Sequence, residues 1–186
     1  MQQEFTLTIF SENRVGMLNQ ITTVFTRRHI NIESLTTSES AIHGIHKYTI
    51  VVNSSREDVD SLVKQIEKRI DVLKAYVFSD DEIIYQEIAL YKVPTEALFD
   101  GNEIERLVRQ YGARILEMTA EYAVIEKTGH KSETQELFEK LDPYGVTQFT
   151  RSGRIAINKL KKEPLNNYLR KLEDNGVNPD SYQKTK

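Results

Sequence analysis

The sequence has no cysteine, so it forms no disulfide and offers no thiolate nucleophile or metal ligand. That absence is compatible with a reducing cytosol. No apolar run approaches the ~20 residues that a membrane-crossing helix needs. The opening Met1-Gln-Gln-Glu4 has neither the basic region nor the apolar stretch of a secretory signal. Excess positive charge is missing too. Lys and Arg total 25 against 28 Asp and Glu, a net charge of −3, whereas nucleic-acid binders are usually basic. There is no Gly-x-Ser-x-Gly, no His-Glu-x-x-His and no P-loop. The carboxylates are scattered over expected helices and turns, where solvation accounts for them. The composition excludes secreted disulfide scaffolds and membrane spans, and it favours a soluble cytoplasmic protein without a catalytic constellation.

What is present is periodicity. Of the 186 residues, 39% are hydrophobic and 28% charged, a globular balance with room for two small domains. Phe5, Leu7 and Ile9 alternate with Thr6 and Thr8, which predicts a half-buried strand ending near Phe10. Ser11, Glu12 and Asn13 follow as candidate helix caps. Leu18, Ile21 and Phe25, backed by Met17 and Val24, predict an amphipathic helix to Arg28. Residues 31–35 and 45–52 read as strands. Ser55 closes a turn and caps a second helix carrying Val59, Leu62, Val63, Ile66 and Ile70. Residues 72–78 close the unit. The order β-α-β-β-α-β is that of the ferredoxin-like fold, a four-stranded antiparallel sheet with both helices on one face. The opposite face must then be solvated or buried against a partner.

Residues 79–82 are a charged hinge, and the order then repeats. A strand over 84–93 leads to a helix from Pro94 with Ile104, Leu107, Val108 and Tyr111 at helical spacing, stopped by Gly112. Strands over 114–118 and 122–126 form a hairpin. Ser132 is the expected cap of a helix with Leu137, Phe138 and Leu141. Residues 146–150 and 154–157 end the sheet. The expected domains are 1–79, 80–159 and a tail, 160–186. The tail carries one short helix with Leu165, Tyr168, Leu169 and Leu172. Arg151, Arg154, Lys159, Lys161 and Lys162 read as a solvated basic surface. His43 and His46 would point to opposite faces of a strand, a poor arrangement for a metal.

The turn after the first strand is the candidate binding site. A helix N-terminus offers free N–H donors and a positive dipole end, which suit a carboxylate or phosphate. Gly16 removes a side chain there, so a ligand can approach the backbone closely. From spacing alone Asn13 and Gly16 also fit an ordinary capped turn, and Asn31 fits a polar residue opening a strand.

Asn13-Arg-Val-Gly-Met-Leu18 followed by Asn31-Ile-Glu-Ser-Leu-Thr36 resembles the N-terminal ACT domain of the acetolactate synthase (acetohydroxyacid synthase) small-subunit family. Thr150-Arg-Ser-Gly-Arg-Ile-Ala156 is similar to that family's closing strand. The resemblance implies two tandem ferredoxin-like domains, the first an ACT domain that dimerises. It implies a regulatory subunit without its own active site, which activates a separate catalytic subunit and confers feedback inhibition by a branched-chain amino acid, valine foremost. The effector-binding residues it implies are Asn13, Arg14, Val15, Gly16, Met17, Leu18, Asn31 and Ile32, with Asn31 reaching across a dimer interface. Thiamine diphosphate, magnesium and FAD would belong to the large subunit, and none to this chain. Three other readings compete: an ACT sensor of a different pathway, an RNA-binding module of the same strand order, and a stand-alone enzyme on a tandem ferredoxin-like scaffold.

Overall fold

A computed structural model describes residues 2–99 and 102–174. The chain divides into two units, Met1–Ile84 with Ala156–Lys186, and Tyr85–Ile155. The expected divisions near 79 and 159 are displaced by a few residues. The described part of the tail belongs to the first unit and is not a separate piece.

The first unit runs β1 (Gln3–Glu12), α1 (Met17–Arg27), β2 (Ser34–Glu39), β3 (Ile45–Ser54), α2 (Arg56–Ile66) and β4 (Val72–Phe78). The sheet order is β2-β3-β1-β4. β1 is antiparallel to β3 along its whole length, from Gln3 opposite Ser54 to Glu12 opposite Ile45. This pairing carries β1 past Phe10, so Ser11 and Glu12 are strand residues rather than helix caps. β2 also differs from expectation. It starts at Ser34, and Asn31 and Ile32 precede it.

The face of α1 is set by Met17, Ile21, Val24 and Phe25, all buried. Leu18 falls outside that stripe and is 42% exposed, against the expectation that it would join the core. These residues pack with Phe5, Leu7, Ile9, Tyr48, Ile50 and Val52 of the sheet and Val59, Leu62 and Ile66 of α2. α2 begins at Ser55, whose hydroxyl accepts from the Asp58 amide at 3.1 Å as an N-cap should. It ends at Ile66, so Ile70 lies beyond the helix and is 98% exposed rather than in the core.

The sheet face away from α1 and α2 has its own cover. A later helix, α6 (Pro164–Asp174), places Leu165 among Phe10, Ile45 and Leu73, with Tyr168 and Leu169 against the same cluster. Leu165 is fully buried, a burial that contributes about 2 kcal/mol. Lys47 extends an ammonium to 3.9 Å from the Glu163 carboxylate just before that helix. Burial, and then Glu67, Glu163 and Tyr168, push the Tyr76 phenol on this face up to about 12. The helix is legible in the sequence, but its seat on this face is not.

The second unit repeats the order with β5 (Ile83–Pro94), α3 (Glu96–Phe99), α4 (Glu103–Gln110), β6 (Arg114–Met118), β7 (Tyr122–Gly129), α5 (Lys131–Leu141) and β8 (Gln148–Arg151). β9 (Ile155–Asn158) and α6 follow. The strand order β6-β7-β5-β8 is that of the first sheet. Both units are α+β and ferredoxin-like, as expected. Gly112 follows α4 with φ +57, and the Ala113 amide donates back to Val108 at 2.8 Å, closing the helix as a glycine at this place should. α5 starts after His130, so Ser132 lies within its first turn and is not its cap. The core is Ala89, Tyr91, Val93, Ile104, Ala123, Ile125, Leu137 and Leu141. The Tyr91 hydroxyl, fully buried, donates to the Thr134 carbonyl at 2.6 Å. Burial pushes that phenol up to about 12.

Candidate functional site

The turn between β1 and α1 is built from three directions. At its start, the Glu12 amide donates to the Asp71 carbonyl at 2.9 Å, and the Asn13 amide to the Gly44 carbonyl at 2.9 Å. These bonds tie the turn to the loops before β4 and β3. The Arg14 guanidinium then lies 2.7 Å from the Glu12 carboxylate and 3.1 Å from that of Asp71, clamping the backbone from outside. Gly16 takes φ +86, a left-handed conformation that glycine adopts without strain, and is the residue from which α1 starts.

No side chain caps α1. The Arg14 amide bonds Glu12, that of Met17 bonds Arg14 and that of Gln20 bonds Gly16. Among the described residues, the amides of Val15, Gly16, Leu18 and Asn19 have no such backbone acceptor. A helix N-terminus with unclaimed donors and the positive dipole end is suited to a small anionic group. A Cβ built on Gly16 meets nothing within 4 Å, so the space over the turn is open.

The expected site residues divide by this geometry. Asn13, Arg14, Val15 and Gly16 are exposed, Val15 fully. Met17 is 1% exposed, so its side chain belongs to the core and only its backbone borders the turn. Leu18 is half exposed beside it. Asn31 and Ile32 are elsewhere. Asn31 is exposed, with its amide nitrogen 2.9 Å from the Glu33 carboxylate. Ile32 leans on the core and is partly buried. They precede the Ser34 end of β2, which pairs across β3 with the Thr6 end of β1, while the turn follows the Glu12 end. At ~3.4 Å per residue the stretch from Thr6 to Ser11 alone spans about 17 Å. Within one protomer the two halves of the expected site are therefore apart.

Asp71 and Gly44 are parts of the turn that the sequence does not mark. Each is distant along the chain, and no periodicity singles it out. The surface reading of Arg151 and Arg154 is also corrected. Arg151 pairs with the buried Glu87 at 3.4 Å and donates to the Thr134 hydroxyl at 3.1 Å. Arg154 is buried with its guanidinium 3.6 Å from the Tyr85 ring centroid. His43 lies 3.2 Å from Glu39, and the described residues contain no group of three candidate metal ligands. No helix among them is long and apolar enough to cross a membrane.

A βαββαβ unit with an amide-lined glycine turn after its first strand, followed by a second unit of the same order, defines a tandem protein of the ACT class. Residues 7–74 match the AHAS small subunit-like ACT domain, and residues 86–160 match the small subunit of acetolactate synthase. The chain is 37% identical over 157 residues to the acetolactate synthase small subunit of Bacillus subtilis, covering 84% of this chain and 90% of that one. It is 30% identical over 154 residues to that of Mycolicibacterium smegmatis, covering 83% and 90%. The crystal structure of the Thermotoga maritima small subunit superposes with a TM-score of 0.78 at 27% identity, covering 86% of this chain and 99% of that one. This chain belongs to the acetolactate synthase small-subunit family.

Proposed function

We propose that this protein is the regulatory, non-catalytic subunit of a cytoplasmic acetolactate synthase. It binds the large catalytic subunit, raises that subunit's rate and makes it sensitive to a branched-chain amino acid, valine foremost. The thiamine diphosphate, magnesium and FAD chemistry stays with the large subunit. The observation that carries the sensing part is the uncapped turn at Gly16. The effector carboxylate sits on the free amides at the start of α1, and the exposed Val15 and Leu18 flank its side chain.

The site is completed by a second copy. β2 pairs only with β3, so its other edge is open among the described residues. If two such edges meet antiparallel about a two-fold axis, the Ser34 end of one lies beside the Glu39 end of the other. Glu39 pairs with His46, next to the loop whose Gly44 holds Asn13. Asn31 of the second copy then approaches the turn, where its amide can both donate and accept. A ligand held by two protomers favours one dimer arrangement, and that bias is what the catalytic subunit reads.

A sensor for another pathway would share the turn but has no reason to carry the second unit that matches residues 86–160. An RNA-binding module would use the sheet face that α6 partly covers here. Titration calorimetry with valine, leucine and isoleucine tests the proposal. Saturable heat is expected, strongest with valine and lost in Asn31→Ala. No heat from any of the three would remove the sensing role.

A further inference from the structure

At the opposite end of α1 from Gly16 lies a cleft of about 590 Å³, lined by Val24, Arg27, Arg28, Gln65, Lys68 and Arg69. The 11 residues of α1 at ~1.5 Å each put it about 16 Å from the effector turn. Four of the six lining residues are cations and none is acidic. The ion pairs of the described residues engage Arg14, His43, Lys47, Arg56, Lys74, Arg109, Arg114 and Arg151. None of them engages Arg27, Arg28, Lys68 or Arg69. Arg28 Nε donates to a neutral partner, Gln65 Oε1, at 2.8 Å. Arg69 Nε is buried and has no hydrogen-bond acceptor.

Cations at the ends of α1 and α2 complement the two helix dipoles. Those two ends supply only about one negative charge between them, so four cations leave a surplus of about three. A buried guanidinium N–H without an acceptor is costly, and such groups are normally satisfied. The missing acceptor and the uncompensated charge call for the same thing, an oxyanion brought from outside. A single carboxylate would not balance three charges. Guanidinium forks and an ammonium match the oxygens of a phosphate group.

We infer that this cleft binds a small molecule carrying a diphosphate group, with Lys68 and Arg27 at its mouth and Arg69 Nε at its floor. The inference does not depend on the effector site, which is at the other end of the helix. The test uses inorganic pyrophosphate as the probe and the full-length chain in a phosphate-free buffer of low ionic strength, since screening weakens such interactions. Calorimetry should show saturable binding by the wild type. Arg27→Gln/Lys68→Gln changes two exposed side chains, and removing each charged hydrogen bond weakens binding roughly tenfold or more. Circular dichroism verifies that the double variant is folded. Absence of saturable binding by the wild type would overturn the inference. So would equal affinity in the folded variant, or an acidic peptide that binds the wild type more tightly than pyrophosphate does.

Discussion

Gly16→Asp is expected to abolish amino-acid inhibition of the assembled enzyme while leaving activation intact. The substitution has room, since nothing lies within 4 Å of a Cβ at this position. Its backbone cost comes from φ +86, about 1 kcal/mol for a residue type that tolerates the left-handed region. Aspartate at a helix start recovers part of that by capping the free amides. The same two properties defeat the effector. The new carboxylate occupies the donors that the effector carboxylate needs. It also repels that carboxylate by about 4 kcal/mol at 4 Å with an effective dielectric of 20. A loss of affinity of two to three orders of magnitude follows. Gly16→Ala is the control, because it carries the backbone strain without the charge and should keep part of the inhibition. The measurement is acetolactate formation by the holoenzyme against valine concentration, for wild type and both variants, with circular dichroism as the folding check. An unchanged inhibition curve in a folded Gly16→Asp protein would move the effector site away from this turn.

Leu165→Asp should detach α6 from the first unit without unfolding either βαββαβ core. Leu165 is fully buried among Phe10, Ile45 and Leu73. The change removes about 2 kcal/mol of burial and places a carboxylate against an apolar surface, so the total loss is roughly 3 kcal/mol or more. The helix lies outside residues 7–74 and 86–160, the parts shared with the family. The cores should therefore persist. The thermal midpoint is expected to fall by roughly 5–10 °C, and a hydrophobic dye should bind the uncovered Phe10 and Tyr76 face. Leu165→Met, which conserves volume, should cost less than about 1.5 kcal/mol. An aspartate variant with the wild-type midpoint and no dye binding would show that α6 contributes no cover.

Alternation and helical spacing made both βαββαβ units legible, because Phe5, Leu7 and Ile9 share a face whatever they pack against. Details that depend on pairing were less so. The end of β1 is decided by Ser11 and Glu12 finding His46 and Ile45 across the ladder, and only that pairing rules them out as caps. The phase of α1 differs by one residue. Met17 and Leu18 are both apolar, and only the sheet beneath selects Met17. The candidate turn was legible in Gly16 and its spacing. Its clamp was not, since Arg14 meets Asp71 across a long separation in the chain. The same holds for α6. Its apolar stripe is in the sequence, but its seat on Phe10, Ile45 and Leu73 is a tertiary fact. Arg151 and Arg154 looked solvated because a charge run carries no sign of the Glu87 and Tyr85 that receive them.

Reconstitution decides whether this chain regulates a catalytic subunit. Acetolactate formation from pyruvate is measured with this protein alone, with the cognate catalytic subunit alone, and with the two mixed at increasing ratios. No turnover is expected from this protein alone, and the rate of the mixture should climb to a plateau above that of the catalytic subunit. A catalytic rate unchanged by a saturating excess of this protein would contradict that regulatory role.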